Sequence, residues 1–364
     1  MGRRRFAGGA RRRLTTLAVA PWAPDVRADW RPPLIPGSFR AYVVDRRDDQ
    51  FERGIRTLTA ADLPDGEVEI RVGWSSVNYK DGLAATADGK VARAYPLVPG
   101  VDLAGVVVGS SDPAINPGDE VIAHGYDLGV SRHGGYAEFA RVPAGWIVPR
   151  PARLTMREAM AIGTAGFTAA QSVIALEDRG LVPGGGPILV TGASGGVGST
   201  AVAILAGRGY EVWAATGKPD ERAWLATLGA TDFLGRDEVT AEGRPLESER
   251  WAGAVDSVGA ATLPYILRTL RRGAAVAACG NASGPMLATT VFPFILRGIA
   301  LLGIDSAYLG IDERRRIWER LATDLRPRGL GDRVSEVTLD TLEPALDAIR
   351  AGQARGRWVV RIGA

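Results

Sequence analysis

Within Ile188-Leu189-Val190-Thr191-Gly192-Ala193-Ser194-Gly195-Gly196-Val197-Gly198, an apolar run ends in a glycine-rich turn and a helical pattern starts at once, with Val197, Ala201, Ile204 and Leu205 on one face. Strand, glycine turn and helix in that order suit a dinucleotide, whose pyrophosphate sits on unpaired backbone N–H groups at a helix start. The best-fitting fingerprint is Ala193-x-Gly195-x-x-Gly198, with alanine in place of the first glycine. A turn that binds nothing has less use for so many glycines, each of which costs backbone entropy on folding.

The end of the next strand should decide which dinucleotide binds. Glu211-Val212-Trp213-Ala214-Ala215 leads into Thr216-Gly217-Lys218-Pro219-Asp220. An acid at that strand end would accept from ribose hydroxyls and repel a 2′-phosphate. Thr216, Gly217 and Lys218 offer a hydroxyl, an open backbone and an ammonium instead, and Asp220 lies beyond a proline. The spacing predicts NADPH rather than NADH.

These groups sit in a chain of 364 residues, long for one domain and comfortable for two. Its 46% hydrophobic and 23% charged residues are ordinary for a globular enzyme, and a formal net charge of +3 gives no nucleic-acid footprint. A single cysteine, Cys279, leaves no intrachain disulfide and no cysteine-rich zinc cluster. No apolar run approaches the length of a membrane span, and the expected setting is cytoplasmic.

Residues 1–38 are rich in Arg, Pro and Gly and lack periodicity; they read as a disordered or misassigned start, a targeting peptide or a basic contact arm. Residues 39–162 hold short strands broken by Gly and Pro: Arg40–Val44, Glu67–Ser75, Gly105–Val108 and Glu120–Ala123. Residues 163–303 alternate helix and strand, with strands at Ile188–Thr191, Glu211–Ala215, Ala254–Ser257 and Ala275–Ala278. Residues 304–364 carry a helix over Asp312–Asp324 and a closing strand over Trp358–Ile362. The expected architecture is α/β: a β-rich unit into which a doubly wound parallel sheet is inserted, the tail returning to the β unit.

Ordered blocks carry a resemblance. They include Trp74-Ser75-Ser76-Val77-Asn78-Tyr79-Lys80-Asp81, Pro99-Gly100-Val101-Asp102-Leu103-Ala104-Gly105, Gly163-Thr164-Ala165-Gly166-Phe167-Thr168-Ala169 and Val190 to Thr200. Trp251 to Asp256, Val276 to Gly280 and Pro293 to Gly298 complete the set. From Phe39 onward the chain resembles the medium-chain dehydrogenase/reductase superfamily, and within it the acryloyl-CoA reductase branch, often labelled quinone oxidoreductase. The resemblance implies a GroES-like catalytic domain, a Rossmann domain, NADPH in the cleft between them and a homodimer, expected through the Ala300–Gly303 sheet edge.

Many members of that superfamily hold zinc. Here the ligand positions correspond to Asn78, Val101 and Thr164, whose amide, isopropyl and hydroxyl groups cannot replace thiolate and imidazole. The resemblance therefore implies a zinc-free reductase, suited to an activated alkene: hydride reaches the β-carbon while charge builds on a thioester or quinone oxygen. Tyr79 is expected against the nicotinamide, positioning it or donating to the developing oxyanion. Asn78 is expected to donate through its amide, and Asp81 and Asp102 to orient these groups.

The fold implies further cofactor contacts. Ser194, Gly195, Gly196 and Val197 should meet the pyrophosphate, and Thr216, Gly217 and Lys218 the 2′-phosphate. Arg236 would contact adenine or phosphate, or form a surface ion pair. Asn281 should line the nicotinamide ribose, with Ile295 and Ser306 toward the carboxamide. Cys279 reads as a small buried hydrophobe, and Arg314-Arg315-Arg316 as a solvated helix face. The favoured reading is NADPH-dependent reduction of a short 2-enoyl thioester, with quinone reduction and an NADPH-binding sensor as rivals.

Overall fold

The computed structural model describes residues 35–48 and 50–363, so most of the expected basic extension lies outside the described residues. Among the described residues, fifteen strands form three sheets. β1 (Phe39–Arg47) and β2 (Gln50–Leu58) make an antiparallel pair. A seven-stranded sheet takes β3 (Val68–Ser76), β4 (Asp102–Ser110), β5 (Glu120–His124), β6 (Phe139–Val142), β7 (Val148–Pro149), β14 (Val334–Thr338) and β15 (Arg357–Arg361). Its last two strands come from the C-terminal segment, β15 running antiparallel to β3.

The third sheet is wholly parallel: β8 (Ile188–Thr191), β9 (Val212–Ala215), β10 (Asp232–Leu234), β11 (Trp251–Asp256), β12 (Leu270–Ala278) and β13 (Ala300–Gly303). Its spatial order, β10-β9-β8-β11-β12-β13, reverses direction between β8 and β11. In an open α/β sheet that switch point opens a crevice at the strands' carboxyl ends. Ile188, Leu189 and Val190 are fully buried, as a strand covered on both faces requires.

The helix Gly196–Gly207 follows β8 directly, with Gly195 as its extended N-cap. Gly198 is fixed by packing: a Cβ there would lie 2.3 Å from the Gly192 carbonyl oxygen. Helix and strand can approach this closely only without a side chain.

A 23-residue helix, Met156–Asp178, joins the two large sheets, packing on β3, β4 and β15 as well as on β11, β12 and the helix Gly196–Gly207. It is long and apolar enough to cross a membrane, with mean hydropathy 1.4, but most of it is buried inside the protein. This corrects the expectation that no apolar run approaches such a length: between Arg157-Glu158 and Glu177-Asp178 the run is diluted by Gly, Thr, Ser and Gln, which obscured it in the sequence. The helix breaks at Gly163 (φ 53°, ψ −163°), where the change of sequence texture was expected.

The basic run at 314–316 corrects another expectation. On the helix Ile311–Leu321, Arg314 shares a buried face with Ile317, Trp318 and Leu321 at helical spacing. Its guanidinium donates to the carbonyl oxygens of His124 (3.0 Å) and Ala307 (2.9 Å) and lies 4.5 Å from the Tyr126 ring centroid. Arg315 and Arg316 occupy the outer side. Arg314→Met would leave buried carbonyls without donors and should destabilise the fold by about 3 kcal/mol, read as a lower urea midpoint at unchanged slope.

Candidate functional site

Strand register brings the chemistry-bearing blocks together. Ser75 opposes Leu103 across β3 and β4, and Ser76 opposes Val359 across β3 and β15. The end of β3, the start of β4 and the start of β15 therefore meet at one edge, bringing Ser76, Asp102 and Arg357 into reach of one another. The break at Gly163 brings Thr164 to the same point. A Cβ on Gly163 would sit 2.5 Å from an Arg357 nitrogen and 2.6 Å from the Ser76 hydroxyl, so both the left-handed φ and the space demand glycine.

Asp102 is the hub. Its carboxylate accepts from the Ser76 amide (2.9 Å) and hydroxyl (2.8 Å), the Asn78 amide nitrogen (2.9 Å), and the Thr164 backbone (2.9 Å) and hydroxyl (3.0 Å). Arg357 completes the cluster, donating to the Ser76 hydroxyl (2.8 Å), the Ala161 carbonyl (3.0 Å) and Asn78 Oδ1 (3.3 Å). Burial pulls the guanidinium below its ordinary pKa, while the Asp102 and Asp81 charges oppose that fall. Sequence reading missed Arg357 and Ser76 as site residues; the signal available was an arginine immediately before the apolar run Trp358-Val359-Val360 of the closing strand.

Asp81 lies beside this hub and is fully buried. It closes a capping box on the helix Tyr79–Ala84, accepting from the Asn78 backbone (2.8 Å), and its other oxygen accepts from Gly100 (3.1 Å) and Val101 (2.9 Å). Burial first, then the Asp102 charge, pushes its carboxyl up to about 7 against the Asn78 and Val101 N–H donors and the Tyr136 hydroxyl. Asn78 differs from expectation: its amide nitrogen is committed to Asp102 and to the Ser76 hydroxyl (3.1 Å), so it is not free to donate outward. Tyr79, by contrast, is 40% exposed, and its hydroxyl has no hydrogen-bond partner among the described residues.

At the crevice of the parallel sheet, Ser194 is buried and its hydroxyl lies 3.1 Å from that of Thr216. Thr216 accepts from the Lys218 backbone (3.1 Å), the Lys218 ammonium donates to the Ala354 carbonyl (2.6 Å), and the Arg236 guanidinium lies against Gly217. The first N–H groups of the helix Gly196–Gly207 have no intrahelical acceptor and are available to an anion. Asp256, at the end of β11, receives the Thr191 hydroxyl and the Gly259 amide (3.0 Å), tying the two sides of the switch point; sequence reading gave it no site role.

The remaining expected residues are placed separately. Asn281 is exposed after β12. Ser306 accepts from the Thr168 hydroxyl (2.7 Å), beside the long helix. Ile295, on the helix Phe292–Arg297, is 68% exposed. Cys279 is partly buried, its thiol pushed up to about 12 by burial.

Comparison with known proteins fits this geometry. The alcohol dehydrogenase GroES-like domain model matches residues 64–152, and the zinc-binding dehydrogenase model matches residues 196–323. The acrylyl-CoA reductase AcuI of Ruegeria pomeroyi is 50% identical over 330 residues, spanning 90% of this chain and all of that protein. The chain belongs to the medium-chain dehydrogenase/reductase superfamily, in its acrylyl-CoA reductase and quinone oxidoreductase branch. Among solved structures, Escherichia coli YhdH with bound NADPH is 45% identical with a TM-score of 0.86, covering 89% of this chain and 100% of that one. Bacillus subtilis YhfP with NAD bound is 46% identical, also with a TM-score of 0.86, covering 89% and 99%. The fold is that of the superfamily: a GroES-like unit and a parallel nucleotide-type sheet.

The zinc of the matching model's name finds no fitting donors here. Asn78 and Thr164 turn to Asp102, Val101 is apolar, and among the described residues no three His, Cys, Asp or Glu side chains form a metal cluster.

The Asp81 carboxyl gives a pH prediction. Its folded pKa, about 7, exceeds the unfolded value of about 4, so between them the native state binds more protons and stability falls as pH rises. Relative to Asp81→Asn, whose own cost does not vary with pH, the wild type should lose stability across that window and run parallel outside it. Denaturant unfolding at a series of pH values measures this, and parallel curves throughout would refute it.

Proposed function

We propose that the chain catalyses NADPH-dependent reduction of the C=C bond of a short 2-enoyl thioester, with acryloyl-CoA to propanoyl-CoA as the favoured case. The carrying observation is the full-length likeness to acrylyl-CoA reductase AcuI, together with the absence of an acid at the end of β9, where Lys218 and Arg236 lie. The residues present suit the cofactor: N–H groups at the start of the helix Gly196–Gly207 for the pyrophosphate, and Thr216, Gly217 and Lys218 for the 2′-phosphate. NADPH, when bound, supplies the hydride.

The chain's own part is positioning and charge stabilisation. Reduction adds hydride to the β-carbon and a proton to the α-carbon, with negative charge passing through the thioester oxygen. Tyr79, 40% exposed and with no hydrogen-bond partner for its hydroxyl among the described residues, is the residue proposed to donate to that oxygen. Asn78, Asp81 and Asp102 are proposed as positioning residues that fix the turn carrying Tyr79. With Asn78, Val101 and Thr164 where metal ligands would stand, the proposed reaction needs no metal.

Met286, Val291, Phe292, Ile295 and Leu296 are exposed in the segment that leads into β13, an edge strand of the parallel sheet. We propose that a second copy covers this edge, giving a homodimer.

The purified protein should consume NADPH, followed by absorbance, when acryloyl-CoA is added. Turnover with quinones alone would replace this reading by a quinone reductase, and binding of NADPH without turnover of either class would indicate a sensor. Tyr79→Phe should lower kcat by about 10- to 100-fold with NADPH affinity little changed, since a bond to the developing charge exists mainly in the transition state. Parallel loss of affinity and kcat would reduce Tyr79 to a cofactor platform.

A further inference from the structure

The returning C-terminal segment reaches the cation cluster at the end of β9. The Lys218 ammonium donates to the Ala354 carbonyl, the Gly356 amide donates to the Ser194 carbonyl (3.4 Å), and Arg357 is buried in the Asp102 cluster. Residues 354–357 thus form a strap, anchored at three points, across the glycine-rich turn. Arg355 lies between the first two anchors.

Arg355 is held from below by charge. Glu221, in the turn just after Lys218, is fully buried; one oxygen accepts from Arg333 (2.8 Å), and the other lies 3.0 Å from Arg355 as an ion pair without hydrogen-bond alignment, leaving that oxygen's bonding capacity unused. The Arg355 side chain nevertheless remains 54% exposed, so one edge of the guanidinium is pinned while the rest stays open. The charges of Arg355 and Arg236 both act on the Lys218 ammonium, with the Glu221 carboxylate opposing them, so positive charge is in excess at this point. A phosphate monoester carries about −1.5 to −2 at pH 7 and three acceptor oxygens, which answers that excess in charge and in hydrogen-bonding capacity.

We infer that Arg355, oriented by the buried Glu221, is a specificity-determining residue that reads the cofactor's 2′-phosphate from the C-terminal strap. The inference rests on the NADPH reading and extends it. Recognition then draws on two distant parts of the chain: Lys218 and Arg236 from the parallel sheet, and Arg355 from the segment entering β15. Because strap and carboxylate are already fixed, little ordering cost remains for the phosphate to meet.

The test is calorimetric titration of the full chain with adenosine 2′,5′-bisphosphate and with adenosine 5′-monophosphate. Wild type should prefer the bisphosphate. Arg355→Gln should weaken the bisphosphate by about tenfold or more, as loss of a charge-assisted bond implies, and leave the monophosphate unchanged. Arg355→Lys should fall between the two. Unaltered bisphosphate binding in Arg355→Gln, or equal loss for both ligands, overturns the assignment while the cofactor reading stands. A wild type without preference for the bisphosphate overturns the cofactor reading itself, and this inference with it.

Discussion

The buried Asp102 carboxylate and the buried Arg357 guanidinium, joined through the Ser76 hydroxyl, set the constraint that the rest of the site obeys. Two opposite charges this far from water are costly to place, and the cost is offset only when nearly every polar atom finds a partner. The structure meets that condition with donors from four separate segments: the end of β3, the turn carrying Asn78, the break in the long helix, and the entry to β15. Removing either charge would strand the other, a change worth about 3–5 kcal/mol in comparable buried pairs. The cluster therefore fastens the GroES-like sheet to the long helix that also packs on the parallel sheet.

From this anchor the division of labour follows. Groups that appear chemically able by type, such as Asn78, Asp81 and Asp102, are occupied with one another or with backbone N–H groups. Among the described residues, the exposed side chains of that block without a polar partner are Tyr79 and Lys80, and of the two Tyr79 carries the hydroxyl the chemistry calls for. Across the crevice, the glycine turn after β8 and the cations after β9 present donors to phosphate. One side is organised around buried, mutually satisfied polarity, and the other around exposed positive charge awaiting a partner.

Local sequence carried much of this. The β8 strand, its glycine turn and the following helix were readable because backbone geometry there is dictated by a contiguous run of residues. So was the replacement of an acid by Thr216, Gly217 and Lys218. What escaped were contributions depending on distant segments: Ser76, Arg355 and Arg357 acquire meaning only when strand pairing brings them near Asp102 or Lys218. Arg314 was misread because a basic triplet suggests a wet surface, whereas its spacing with Ile317, Trp318 and Leu321 already marked it as inward-facing. The Asn78 amide looked available because nothing in the sequence reveals that Asp102 and Ser76 claim it.

Metal dependence tests the central claim most directly, since the account replaces a metal centre with a cluster of mutually bonded side chains. Acryloyl-CoA reduction by NADPH should be measured on protein before and after exhaustive chelation, with metal content determined on the same samples. The account predicts far less than one transition-metal ion per chain and equal turnover in both. One bound ion per chain, lost on chelation together with the activity and restored by adding it back, would contradict it.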